Sequence, residues 1–135
     1  MGFFGDGEKR QADNEALQAE VARIGALPVK QLAVEVMTKG FGPGGPAAGG
    51  VLARPSDIAG AFIPTESSHD LDQSQLDTLY QIAVEGLQAL EHAGLVRFQL
   101  IIDAGTNDNY NLNYTATRLG TTALEQNTVA QLLGG

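Results

Sequence analysis

Two hydrophobic periods run along this chain, and the places where one gives way to the other predict its elements. Leu17, Val21 and Ile24 stand at helical spacing among polar residues, which predicts an amphipathic helix over residues 8–26. Gly25 and then Pro28 interrupt it, and Pro is well placed to open a new helix. Val29, Leu32, Ala33, Val36 and Met37 follow the i, i+3, i+4, i+7, i+8 template, so a second amphipathic helix is expected over residues 28–39. A long helix is expected from Leu71 to Ala93. Leu76, Leu79, Tyr80, Ala83, Gly86, Leu87 and Leu90 gather on one side of it. Ile82 and Val84 widen that arc, as in a helix buried over more than one surface. Asp77, Thr78, Gln81, Glu85, Gln88 and His92 line the opposite face, and Gly94 supplies the stop.

The period then switches to two. Val96, Phe98, Leu100 and Ile102 alternate with Arg97, Gln99, Ile101 and Asp103, and Tyr110, Leu112, Tyr114 and Ala116 alternate with Asn111, Asn113, Thr115 and Thr117. The stretch 104–109 between them is a turn by composition, so an antiparallel hairpin is expected. Gly120 ends it. Thr122 with Glu125 matches a capping box, and Ala123, Leu124, Ala130 and Leu133 predict one last helix.

Connecting segments complete the pattern. Residues 1–7 are glycine-rich and read as a mobile tail. Residues 40–50 hold six glycines and two prolines, which predicts a flexible connector. Gly40, Gly42 and Gly45 spell G-x-G-x-x-G, but a dinucleotide loop needs a strand before it and a helix directly after it. Here a helix precedes, and Pro43 and Pro46 follow. Residues 51–53 suit a very short strand. A short helix is expected from Asp57 to Phe62, with Ser56 as its cap and Pro64 beyond its end.

The full chain has 135 residues, which fits one compact domain, and a 43% hydrophobic share is enough for a core. Cysteine is absent, which excludes disulfides, thiolate metal sites and a cysteine nucleophile. No apolar run is long enough to span a membrane. The N-terminus has no basic region followed by an apolar one, so the expectation is a soluble cytoplasmic protein. The net charge of -8 is unevenly placed. Residues 1–54 balance six basic groups against six acidic ones, whereas residues 55–135 set only Arg97 and Arg118 against ten acids. Such a surface repels phosphate backbones.

Catalytic chemistry is sparse. His69, Asp70 and Asp72 form a small cluster that begins like a calcium loop. It fails at the sixth position, Gln75, and at the twelfth, Gln81. Acids at a helix N-terminus complement its dipole, and that is the preferred reading. His92 reads as a solvated residue near a helix C-terminus. No nucleophile elbow, zinc-protease motif or phosphate-loop lysine occurs. No enzyme activity, metal or cofactor is expected. Tyr80, Tyr110 and Tyr114 read as core residues rather than stacking platforms.

Two stretches carry a resemblance: Leu87-x-x-Leu90-Glu91-x-x-Gly94-Leu95-Val96, and Tyr114-x-x-Thr117-x-x-Gly120-x-x-Ala123-Leu124. With the order helix, short strand, short helix, long helix, hairpin, helix, the chain resembles the winged helix-turn-helix superfamily, in the manner of bacterial MarR and PadR regulators. The likeness covers roughly residues 28–133. It implies an α+β, mostly helical chain: a winged-helix-like domain over residues 28–135 with a C-terminal β-hairpin wing, and an N-terminal helical extension in residues 1–27. It also implies that the long helix is the major-groove helix and 103–109 the wing tip.

The groove-facing side departs from a DNA-binding pattern. Asp77, Thr78, Gln81, Glu85, Gln88 and His92 include no Lys or Arg. The first expectation is therefore a non-enzymatic regulatory or adaptor module that binds protein through this face or its N-terminal arm. The alternatives are a homodimeric regulator of duplex DNA, with Gln81, Arg97, Arg118, Lys30 and Lys39 as contacts, and a small-molecule sensor with its pocket between the N-terminal helices and the core. Self-association is expected in either regulator, with the first helix as a dimerisation candidate.

Overall fold

The computed structural model describes the backbone of residues 2–64, 71–103 and 109–134, and the side chains of 11–64, 71–100 and 112–134. The architecture is α+β and mostly helical. Its order is α1 (Gly2–Gly25), α2 (Val29–Phe41), α3 (Pro55–Gly60), α4 (Gln73–His92), β1 (Val96–Asp103), β2 (Asn109–Ala116), α5 (Arg118–Gln126) and α6 (Val129–Leu132).

The core forms around α4, which touches α1, α2, α3 and β1. Leu17, Val21 and Ile24 of α1, and Leu32, Ala33, Val36 and Met37 of α2, are buried with Leu79, Ala83, Leu87 and Leu90 of α4. The periodic apolar stripes thus face one another, as the hydrophobic effect requires. Gly86 sets the closest approach of α2 to α4: a Cβ there would stand 2.6 Å from Val36 Cγ2. Asp72 caps α4 by accepting a hydrogen bond from the Ser74 amide at 3.0 Å. At the far end Gly94 adopts φ +80, and the Leu95 amide donates to the Leu90 carbonyl at 2.9 Å. This left-handed stop turns the chain directly into β1.

The hairpin pairs in one register, from Val96↔Ala116 to Asp103↔Asn109. A third strand position flanks β2, where Ala53 and Tyr114 exchange backbone hydrogen bonds of 3.0 and 2.7 Å. Residue 53 is the only part of the expected short strand that pairs.

Several expectations are corrected. Helix α1 starts at Gly2 rather than near Glu8, so residues 2–7 continue the helix instead of forming a tail. Extending a formed helix adds a hydrogen bond per residue and so offsets the low propensity of glycine. Val29 is exposed although it fits the α2 stripe. The connector at 40–50 is compactly wound: Gly40 and Phe41 still belong to α2, the Ala47 amide donates to the Gly40 carbonyl at 2.8 Å, and Ala47 is buried. A Cβ on Gly42 or Gly45 would lie 2.4 Å from a backbone oxygen, so close packing explains the glycines there better than flexibility does.

Helix α3 begins at Pro55 with Arg54 at the cap position, not Ser56. The Asp57 carboxylate accepts from the Arg54 amide at 3.1 Å. The last helix is two. Thr117, not Thr122, caps α5 by accepting from the Gly120 amide at 3.0 Å, so Gly120 lies inside α5. Asn127 at φ 56 then breaks the chain before α6.

Candidate functional site

Each residue proposed for the interaction face, Asp77, Thr78, Gln81, Glu85, Gln88 and His92, is exposed on α4. Helical periodicity produces this: the buried residues occupy the other side, which leaves one polar stripe turned to solvent. Local bonds tie its first turns, with Gln73 Nε2 donating to Asp77 Oδ1 at 2.9 Å and Thr78 Oγ1 donating to the Ser74 carbonyl at 3.0 Å.

The candidate nucleic-acid contacts are dispersed. Lys30 lies beside Gln88 and His92, in an open concavity with Val29, Leu132 and Leu133, and its Nζ donates to the Gly134 carbonyl at 3.2 Å. Lys39 lines a different concavity, with Pro43, Gly44, Gly45 and Pro46. Its Nζ is 3.4 Å from Glu20 Oε2 and 4.8 Å from the centre of the Phe62 ring. Arg97 donates to its own-strand neighbour Gln99 at 3.3 Å. Arg118 is exposed in the first turn of α5, and Gln81 in the middle of α4.

A charge cluster that the sequence reading missed joins α1 to α2. The Arg23 guanidinium grips Glu35 through two hydrogen bonds of 2.8 Å each. It also grips Glu20, through bonds of 2.5 and 3.1 Å. These bonds hold both carboxyls below their ordinary pKa and raise that of Arg23. The i, i+3 spacing of Glu20 and Arg23 was the available signal; the partner on α2 had none. Arg54 makes a looser pair with Asp57, 3.4 Å apart. Of the described basic groups of residues 11–54, Arg23, Lys39 and Arg54 are thus paired with carboxylates, and Lys30 is bonded to a backbone carbonyl.

The hairpin adds a second exposed feature. Cross-strand pairing puts Val96, Phe98, Leu100, Leu112, Tyr114 and Ala116 on one face. Its base is buried at Val96 and Tyr114, but Phe98 is 52% exposed, Leu100 53% and Leu112 37%. The Phe98 and Tyr114 rings are 6.4 Å apart and tilted at 59°. Burial, with Glu91 and Tyr80 acting from α4, raises the Tyr114 phenol above its ordinary pKa. Tyr114 is therefore a core residue as expected. Tyr80 is not: it is 42% exposed, because it sits at the margin of the α4 apolar arc. The Tyr110 side chain, and the His69–Asp70 part of the acidic cluster, lie outside the described residues. Among the described residues no group of three His, Cys, Asp or Glu side chains comes together as metal ligands would.

The space between the N-terminal helices and α4 is filled by Leu17, Ile24, Leu32, Val36, Leu79 and Leu87, all withdrawn from solvent. No helix among the described residues is long and apolar enough to cross a membrane. Compared with protein families, curated proteins and solved structures, the chain matches none.

Proposed function

We propose that this chain is a non-enzymatic regulatory or adaptor module of winged-helix type that acts through protein–protein contacts. The observation that carries the reading is the exposed face of α4 from Asp77 to His92, which holds no Lys or Arg, in a chain where three basic groups are paired with carboxylates. Arg23 and Lys39 are held by Glu20 and Glu35, and Arg54 by Asp57. Duplex DNA is bound chiefly by Lys and Arg that replace phosphate counterions, and this helix offers none. The exposed apolar face at Phe98, Leu100 and Leu112 supports the same reading, since such patches mark contact sites. Among the described residues, the displaced pKa values fall on an interhelical ion cluster and a core phenol, which supports a binding module.

The second reading, a DNA-binding regulator, draws on architecture alone. The order α2, the pairing at residue 53, α3, α4 and then a hairpin is the order that resembles a winged helix. Recovery of the tagged chain from a native lysate, with and without nuclease, separates the two. The protein-binding reading expects co-purifying protein that survives nuclease and is lost when Asp77 and Glu85 are both changed to Lys or when Phe98 is changed to Asp. Partners that vanish with nuclease, alongside bound duplex DNA, would overturn it.

A further inference from the structure

The stripe of α1 that looked suited to dimerisation is already used within the chain, since Leu17, Val21 and Ile24 are buried against the core. A different surface is left open. The sheet order is β1–β2, and the extra position at residue 53 adjoins β2, so among the described residues no strand pairs the outer edge of β1.

The phase of that edge follows from two bonds. The Thr117 amide donates to the Leu95 carbonyl at 3.0 Å, so odd-numbered positions of β1 turn their backbone groups toward β2. Tyr114, which stands opposite Phe98, instead exchanges bonds with Ala53 on the far side. Even-numbered positions therefore turn theirs outward: the amides and carbonyls of Phe98, Leu100 and Ile102 form an open row. Open edges of this kind template a further strand.

The charges on β1 select the strand that fits. Its only charged residues, Arg97 and Asp103, are of opposite sign and lie three positions either side of Leu100. We infer that the partner at this edge is a second copy of the chain, pairing β1 with β1 antiparallel about a two-fold axis at Leu100. In that register Leu100 meets Leu100 and position 98 meets position 102, all outward-facing, so the hydrogen-bond phase is right. Position 97 meets position 103 twice, an Arg against an Asp each time. Shifting the axis to position 98 or 102 loses both charge pairs. The two exposed apolar faces, with Phe98 and Leu100 at the seam, join into one surface of a four-stranded sheet. Closed two-fold symmetry then uses both β1 edges in one pairing and adds no further copy there. The inference rests on the protein-binding reading and names one partner for the ribbon.

Sedimentation equilibrium of the full chain, up to about 100 µM, tests this. Reversible dimerisation is expected. Leu100→Lys should abolish it by setting two cations face to face on the axis. Arg97→Asp and Asp103→Arg should each weaken it about tenfold, and the double reversal should restore most of the loss. All these side chains stand on an edge strand, and circular dichroism melts report whether each variant is folded. In amide exchange, Phe98 and Leu100 should slow as concentration rises, while Gln99, already bonded to β2, should not change. A wild type that stays monomeric, or a dimer indifferent to Leu100→Lys and to both reversals, would overturn the inference. A monomeric wild type that still captures a protein dependent on Phe98 would overturn self-pairing and leave the protein-binding reading standing.

Discussion

Gly120 stands where the chain leaves the hairpin, and a Cβ there would fall 1.9 Å from the Leu95 carbonyl oxygen. Backbone, not a flexible side chain, is the obstacle, so relief requires α5 to move away from the turn that leads into β1. Gly120→Ala should cost about 3 kcal/mol, at the upper end of overpacking effects, read as a lowered urea midpoint with an unchanged slope. The sequence marked Gly120 as special but assigned it the wrong task. Its role is close approach, and proximity between segments leaves no local signature. Gly94 was legible because its task is conformational and its position, after a helical stripe, declares it. Arg23 is the other decisive single residue. Glu20 and Glu35 have folded-state pKa values below their unfolded ones. Their contribution is therefore complete above the ordinary carboxylate pKa and is lost as pH falls through the lowered folded values. Arg23 is half-exposed, so solvent screening holds the whole cluster to about 1 kcal/mol. Arg23→Ala should lower stability by about that amount at neutral pH. It should also flatten the fall in stability below about pH 4.5, as measured by urea melts across a pH series.

At the scale of elements, α4 divides its labour by face. Its inner side holds three helices and the hairpin, while its outer stripe is exposed, with Gln88 and His92 at its end lining a concavity shared with α2. Asp77→Lys and Glu85→Lys should therefore each change stability by no more than about 0.5 kcal/mol, by thermal or urea melts, while weakening capture of the protein partner. Loss of stability without loss of binding would assign the stripe to the fold instead. Periodicity made α1, α2 and α4 and their buried residues readable, because burial and spacing are two descriptions of one constraint. It failed at ends and margins. Val29 and Tyr80 fit their stripes but sit where no neighbour covers them. The break at Asn127 escaped because a single Asn in left-handed conformation interrupts a pattern that otherwise continues. The hairpin's alternation was legible, but which part of its apolar face lies open depends on how far β1 extends past α4. The α4 face was legible residue by residue; the Arg23 cluster was not, since it spans two helices.

Across the whole molecule, the sequence placed the excess of acid in the second half, and the fold adds that Arg23, Lys39 and Arg54 of the charge-balanced first half are paired with nearby carboxylates. Lys30 and Lys39 line separate concavities, and Lys39 is paired. A continuous cationic track beside α4 is what a groove-binding protein would need. The most direct measurement is a fluorescence-anisotropy titration of mixed-sequence duplex DNA at about 25 mM salt, where counterion release makes even non-specific binders tight. The account expects no saturable binding up to about 100 µM protein. Micromolar binding that weakens steeply as salt rises would contradict it.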